Sequence, residues 1–264
     1  MISTLNLDMT QTAITYEYDR IADIKRLNFI TDSLQKEIPA NGRVLDVGCG
    51  NGVISRHLGQ FGYDVLGIDI SDKTIDVARS RNKYPNVRFE AISAEALTAQ
   101  GERYDAVICS EVLEHLDHPG GLLKTIYASL KDDGLLVVTV PNGKGPREMF
   151  VTKPMLKARN NPRVWKFINK IKNALGFKGT TAQSQADNLD HVQFFTKSDL
   201  LQLAGNNNFK IIRFAKTNFI EDVFPFSLFS KRIKFLQTLD CQVAEILPYS
   251  FTGGFNTLWK KKAE

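Results

Sequence analysis

Val44-Leu45-Asp46-Val47-Gly48-Cys49-Gly50-Asn51-Gly52 is followed fifteen residues on by Gly67-Ile68-Asp69-Ile70-Ser71. A short apolar run ends in a glycine-rich turn, and a second apolar run ends in a carboxylate. An open parallel α/β sheet sets two such ends side by side at the carboxyl edge of its first strands, where a nucleoside binds. The glycines let backbone approach a ligand closely. Asp69 can accept from both ribose hydroxyls, each charge-assisted bond contributing about 1.5–3 kcal/mol. The spacing is G-x-G-x-G with Val53 next, so the dinucleotide fingerprint G-x-G-x-x-G is absent, as is a triphosphate-binding G-K-[ST].

Working outward, short apolar runs closed by turn residues predict buried parallel strands over 43–47, 64–69, 87–91, 106–109 and 135–140. Helices are expected over 53–60, 72–81 and 122–130, with Ser71 capping the second and Lys131-Asp132-Asp133-Gly134 turning into the fifth strand. Ile21, Ile24, Leu27, Ile30 and Leu34 recur at helical spacing and place an amphipathic helix over about 18–35. Thr196 caps a helix to about Leu203. Strands over 210–216 and 255–259 complete the pattern. The fold class is α/β: a Rossmann-like, seven-stranded, mostly parallel sheet with helices on both faces. A basic lid follows strand five, and a helical insertion separates strands six and seven. Three parts result: a core over 1–142, a lid over 143–190, and 191–264 with a Phe-rich insert over 219–254 whose helix spans about 231–247.

This stretch, with Asp46 before the glycines, Asp69 after them and Tyr104–Ser110 as fourth strand, resembles the Rossmann-like S-adenosylmethionine-dependent methyltransferases from about Arg43 to Asn142. The resemblance implies S-adenosylmethionine as cofactor. Gly48, Cys49 and Gly50 would pass under its methionine portion, with Asp46 orienting the ammonium group through water. Asp69 would hold the ribose and Ile70 would pack on adenine. Ser93 and Ala94 would meet the adenine edge, and Ser110 the end of the pocket. The family often carries an acid where Ser93 stands, which implies weaker adenine discrimination here.

A second constellation is Ser110-Glu111-Val112-Leu113-Glu114-His115-Leu116. On a helical turn, Glu111, Glu114 and His115 project from one face. Two carboxylates and an imidazole converging there call for a cation, and mixed O/N donors suit a divalent metal such as Mg²⁺ or Mn²⁺. His191, where the chain returns from the lid, supplies a fourth ligand. The set Glu111, Glu114, His115 and His191 resembles the ExxEH…H arrangement of small-RNA 2′-O-methyltransferases, and its first part the ubiquinone-type O-methyltransferases. Three roles stay open: metal ligation, general-base work by His191 or His115, and structural hydrogen bonding. Glu114, His115 and His191 are the residues expected to carry catalysis. His57 is expected to be structural, and His118 exposed beside Pro119.

The expected reaction is O-methylation of a hydroxylated small molecule or glycan, metal-assisted. Alternatives are RNA 2′-O-methylation, lipid or quinone O-methylation at a membrane surface, and N-methylation with a general base. Nucleic acid is not favoured, because no RNA-binding module is recognisable. The chain carries a net charge of +5. From Lys144 to Lys178, about ten Lys and Arg face one acid, Glu148, which permits either a solvated helical face or a lid over an anionic acceptor. The Phe-rich insert reads as pocket wall, homodimer contact or peripheral membrane helix, with buried core or dimer contact favoured. Three cysteines are too few for a disulfide framework, Cys49 and Cys109 being expected in pocket loops and Cys241 in a helix. With no signal-like N-terminus and no membrane-length apolar run, a cytoplasmic location is expected.

Overall fold

Strands that are apolar on both faces need cover on both sides. The computed structural model supplies it. It describes residues 14–159, 161, 163, 166, 170, 191–223, 226–230 and 232–262, without the side chains of 155, 156 and 159. The strands are β1 (Arg43–Val47), β2 (Asp64–Asp69), β3 (Val87–Ala91), β4 (Tyr104–Ser110), β5 (Leu130–Pro141), β6 (Phe209–Lys216) and β7 (Gly254–Lys261). They form one sheet in the order β3-β2-β1-β4-β5-β7-β6. All pairs are parallel except those of β7, which runs antiparallel to β5 and β6.

Side-chain alternation divides the core. Leu45, Val107, Leu136 and Val138 point to one face, where Leu123 and Ile126 of α5 (Pro119–Ser129) and Leu200 and Ala204 of α7 (Lys197–Asn206) pack on them. Val44, Ala106, Ile108 and Val137 point to the other. There they meet Leu27, Ile30 and Leu34 of α1 (Ile21–Glu37), Ile54 and Leu58 of α2 (Val53–Gln60), and Ile75 and Ala78 of α3 (Asp72–Arg81). A short α4 (Ala94–Thr98) follows β3. Ser71 and Thr196 are N-caps: Ser71 Oγ accepts from the N–H of Thr74, and Thr196 forms a capping box with Asp199.

Three expectations change. Helix α1 begins at Ile21 rather than near Tyr18, because Arg20 is extended. It ends at Glu37, ahead of the extended Ile38 that Pro39 requires. The turn expected at Lys131–Gly134 lies inside β5. Tyr104 pairs with Leu130 and Ala106 with Leu135, so the intervening residues bulge out of the ladder. Cys109 lies in β4, fully buried, not in a loop.

The lid opens with a π-helical turn (Glu148–Thr152) that runs into α6 (Lys153–Arg159), where Pro154 is tolerated in the first turn. Pro162 and residues 171–190 of the lid lie outside the described residues. In the insert, α8 (Ser227–Ser230) precedes α9 (Lys234–Ile246), which lies against α1. Helix α9 buries Gln237, Asp240, Cys241 and Ala244 and exposes Phe235, Leu239 and Ile246. No helix among the described residues is long and apolar enough to cross a membrane.

Candidate active site

Register brings the chemistry to one sheet edge. Val47 pairs with Ile68 on one side and Cys109 on the other, and Ser110 pairs with Thr139. The glycine loop, Asp69, Glu111 and the end of β5 therefore face a common rim. Gly48, Gly50 and Gly52 all have positive φ, at 68°, 54° and 81°. A Cβ on Gly48 would lie 2.5 Å from Val112 Cγ2, and one on Gly52 would lie 2.4 Å from Phe89 Cζ. Only glycine meets both demands, so the loop is bare backbone.

Asp69 ties the loop to β2. Its carboxylate accepts from Gly50 N–H at 3.1 Å and from Ser71 N–H at 3.0 Å. Ile70 beside it is 84% exposed, an apolar side chain with nothing to cover it among the described residues. Bare loop backbone, an acceptor carboxylate and an uncovered apolar surface together fit a ribonucleoside with a charged tail. Asp46 is fully enclosed. Its Oδ2 accepts from Ser55 Oγ of α2 at 2.6 Å, and burial pushes its pKa up to about 6 against the pull of that bond. Cys49 is buried in the loop, Ser93 caps α4 through the N–H of Ala96, and Ala94 is buried. Ser110 Oγ shares a hydrogen bond with Thr139 Oγ1 at 2.8 Å.

Arg56, buried in α2, braces the loop. It donates to the carbonyls of Asn51 and Ala78, and its guanidinium forms a two-bond pair with Glu17 at 2.7 and 2.6 Å. Both ring nitrogens of His57 are buried without a hydrogen-bond partner among the described residues. The ring stacks on Tyr16 at 5.3 Å, a packing role. His118 is exposed, as expected.

The second constellation comes together in part. Glu114, His115 and His191 each offer a ligand atom, and these atoms lie within 4.8 Å of one another. Leu113–His115 is a single 3₁₀ turn. The chain returning from the lid is pinned to it, because the N–H groups of Val192 and Gln193 donate to Glu114 O at 2.9 and 3.0 Å. That pinning sets the ring of His191 5.1 Å from that of His115. Glu114 is 1% exposed, and both its carboxylate oxygens lack a hydrogen-bond partner among the described residues. Burial, then the charge of Glu111, push its pKa well above the ordinary value. An orphaned buried carboxylate beside two imidazoles is a donor set that fits a divalent cation.

The helical turn expected to align Glu111 with this set does not form. Glu111 precedes the 3₁₀ turn with φ 58°, and its carboxylate is taken up by Thr139 Oγ1 at 3.0 Å and Arg26 Nη1 at 3.5 Å. The set gains a residue that spacing did not reveal. Glu148, the one acid between Lys144 and Lys178, is buried with its Oε1 3.4 Å from His191 Nδ1. Burial opposes its ionisation, yet His191 holds its carboxyl below the ordinary value.

Glu111 also walls a cavity of about 250 Å³ between α1, the end of β5 and the start of the insert. Arg20, Asp23, Arg26, Arg147 and Asp222 are its other charged walls. The Arg20 guanidinium donates to Glu221 at 3.0 Å and to both oxygens of Asp222 at 2.9 Å. Arg26 donates to Asp23 at 2.9 Å. The insert, through Asn218 and Asp222, thus forms one wall of this cavity.

The model of a methyltransferase domain matches residues 16–213. This chain belongs to the methyltransferase-domain family. The fold of this methyltransferase matches an S-adenosylmethionine-dependent methyltransferase of Clostridium acetobutylicum with TM-score 0.58 and 10% identity over 94% of each chain. A solved structure from Listeria monocytogenes, described as a putative S-adenosylmethionine-dependent methyltransferase, gives 0.56 and 17%, over 91% of this chain and 100% of that one. In sequence, the methyltransferase is 35% identical over 112 residues to the ubiquinone biosynthesis O-methyltransferase of Coxiella burnetii, covering 41% of this chain and 48% of that one. The Bordetella avium counterpart is 39% identical over 103 residues, or 38% and 43% of the two chains. The chain spans less than half the length of these two relatives.

Proposed function

We propose that this methyltransferase transfers the methyl group of S-adenosylmethionine to a hydroxyl of a small molecule or glycan, with a divalent cation held by Glu114, His115 and His191. The observation that carries the reading is the orphaned carboxylate of Glu114 beside two imidazoles, at the sheet edge that also bears the glycine loop. Its relatives' name, an O-methyltransferase of ubiquinone biosynthesis, agrees with an oxygen acceptor.

The loop backbone at Gly48–Gly50 would bind the methionine portion, Asp69 the ribose hydroxyls and Ile70 the adenine face. When bound, S-adenosylmethionine supplies a methyl on a sulfonium, whose carbon–sulfur bond breaks as the carbon–oxygen bond forms, leaving a neutral thioether. A divalent cation supplies Lewis acidity that lowers the pKa of a hydroxyl. The chain's own work is alignment and proton removal. Glu114, His115 and His191 fix the acceptor side, and Glu148 orients the His191 ring through Nδ1.

One observation favours a second reading with the same side chains. A buried carboxylate on one nitrogen of a histidine is also the arrangement of a general base. Glu148–His191 would then take the hydroxyl proton without metal. Electron paramagnetic resonance of Mn²⁺ added with S-adenosylhomocysteine separates the two. Binding that weakens in His191→Ala and Glu114→Gln supports ligation. Absence of binding in the parent removes the cation and leaves the base.

A further inference from the structure

The cavity walled by Glu111 tells what it accepts. Its charged walls are three guanidinium groups, Arg20, Arg26 and Arg147, and three carboxylates, Asp23, Glu111 and Asp222. They cancel, so the cavity gives neither an anion nor a cation a net attraction. Most are fixed by one another: Arg20 grips Asp222 and Arg26 grips Asp23 and Glu111, while Asn218 Nδ2 donates to Asp222 at 3.1 Å. The polar surface is therefore preorganised.

Arg26 is 7% exposed, and its Nε is buried with no hydrogen-bond partner among the described residues. An alkyl chain seated here would strip water from six charged groups and return nothing. A hydroxyl gives and accepts at once, so a ring of hydroxyls satisfies guanidinium N–H groups and carboxylate lone pairs together. Tyr18 is also in the wall, with the Arg26 guanidinium over its ring at 5.9 Å. At about 250 Å³ the space lies below the ~300–1,000 Å³ of sites for drug-sized ligands, which suits a single ring. The cavity adjoins the glycine loop, since Glu111 walls the one while Val112 presses on Gly48 of the other.

We infer that the methyl acceptor is a neutral polyhydroxylated ring of monosaccharide size, seated between Arg26, Asp222 and Asn218. This rests on the proposed methyl transfer only for the word acceptor; the binding claim stands on the cavity. It departs from an anionic acceptor, which the basic lid alone suggested, and from a prenylated quinol.

Saturation-transfer NMR on the full chain tests it, with and without S-adenosylhomocysteine. The probes are methyl glycosides of neutral hexoses, of a glucuronate and of an aminohexose, with catechol beside them. A neutral glycoside should bind the parent most tightly, with Kd of roughly millimolar order. Asp222→Asn leaves the walls cationic. It should weaken the neutral glycoside about tenfold and move preference to the glucuronide. Arg147→Gln changes an exposed residue with no salt bridge among the described residues. It should move preference to the aminoglycoside. The inference is overturned if no neutral glycoside binds the parent, or if catechol or the glucuronide binds it more tightly. Failure to bind S-adenosylhomocysteine, measured separately, overturns the cofactor reading instead.

Discussion

The end of β1 and the turn after β4 each bury a carboxylate, Asp46 and Glu114, both 1% exposed. Asp46 has a hydroxyl partner at 2.6 Å, whereas Glu114 has none among the described residues. Burial alone does not distinguish a structural acid from one kept for chemistry; satisfaction does. Asp46 joins β1 to α2 through Ser55. Glu114 is buried with neither oxygen bonded among the described residues, beside the imidazoles of His115 and His191.

The contrast can be broken most sharply at Glu114. Glu114→Gln should lower methyl-transfer turnover by about 10²–10⁴-fold, while S-adenosylhomocysteine affinity measured by calorimetry stays within twofold. Equal turnover would remove Glu114 from the chemistry. Next comes the pH dependence of Asp46. Burial raises its folded pKa to about 6, above the ordinary aspartate value. Stability held below pH ~4 is therefore lost as pH rises through 6, by about 3 kcal/mol. Denaturant titrations across that window should show the slope in the parent and lose it in Asp46→Asn. A slope of opposite sign would refute the assignment.

Ser55→Ala takes the hydroxyl from Asp46 and leaves it the backbone N–H of residue 55. The lost hydrogen bond should cost about 0.5–1.5 kcal/mol by chemical denaturation. A neutral result would show that water replaces the hydroxyl. Smallest is Ile70→Ala, which removes an exposed side chain. Stability should hold within about 0.5 kcal/mol, while cofactor affinity drops severalfold. If affinity does not move, adenine lies elsewhere.

The sheet was legible because both-face burial writes strands as continuous apolar runs, and β1, β2 and β3 match the expected bounds. Spacing also revealed Glu114 and His115, and His191 stood out as a histidine at the lid's return. Glu148 was misleading in sequence. Among lysines and arginines a lone acid reads as part of a solvated face, and only the π-helical turn carries it to His191. Glu111 misled in the other direction. The motif placed it on a helical face, but a left-handed residue leaves no signature in side-chain spacing. The cavity was illegible for a topological reason: its Arg20–Asp222 pair joins residues 202 positions apart.

Arg56 has a consequence for handling the protein. Its buried guanidinium is wired to the glycine loop at Asn51 and to the N-terminal strap at Glu17. The strap is thus a counterweight: shortening the chain past Glu17, or recoding that residue, would strand a positive charge beneath the loop. Damage to the cofactor grip would then surface far from any cofactor contact.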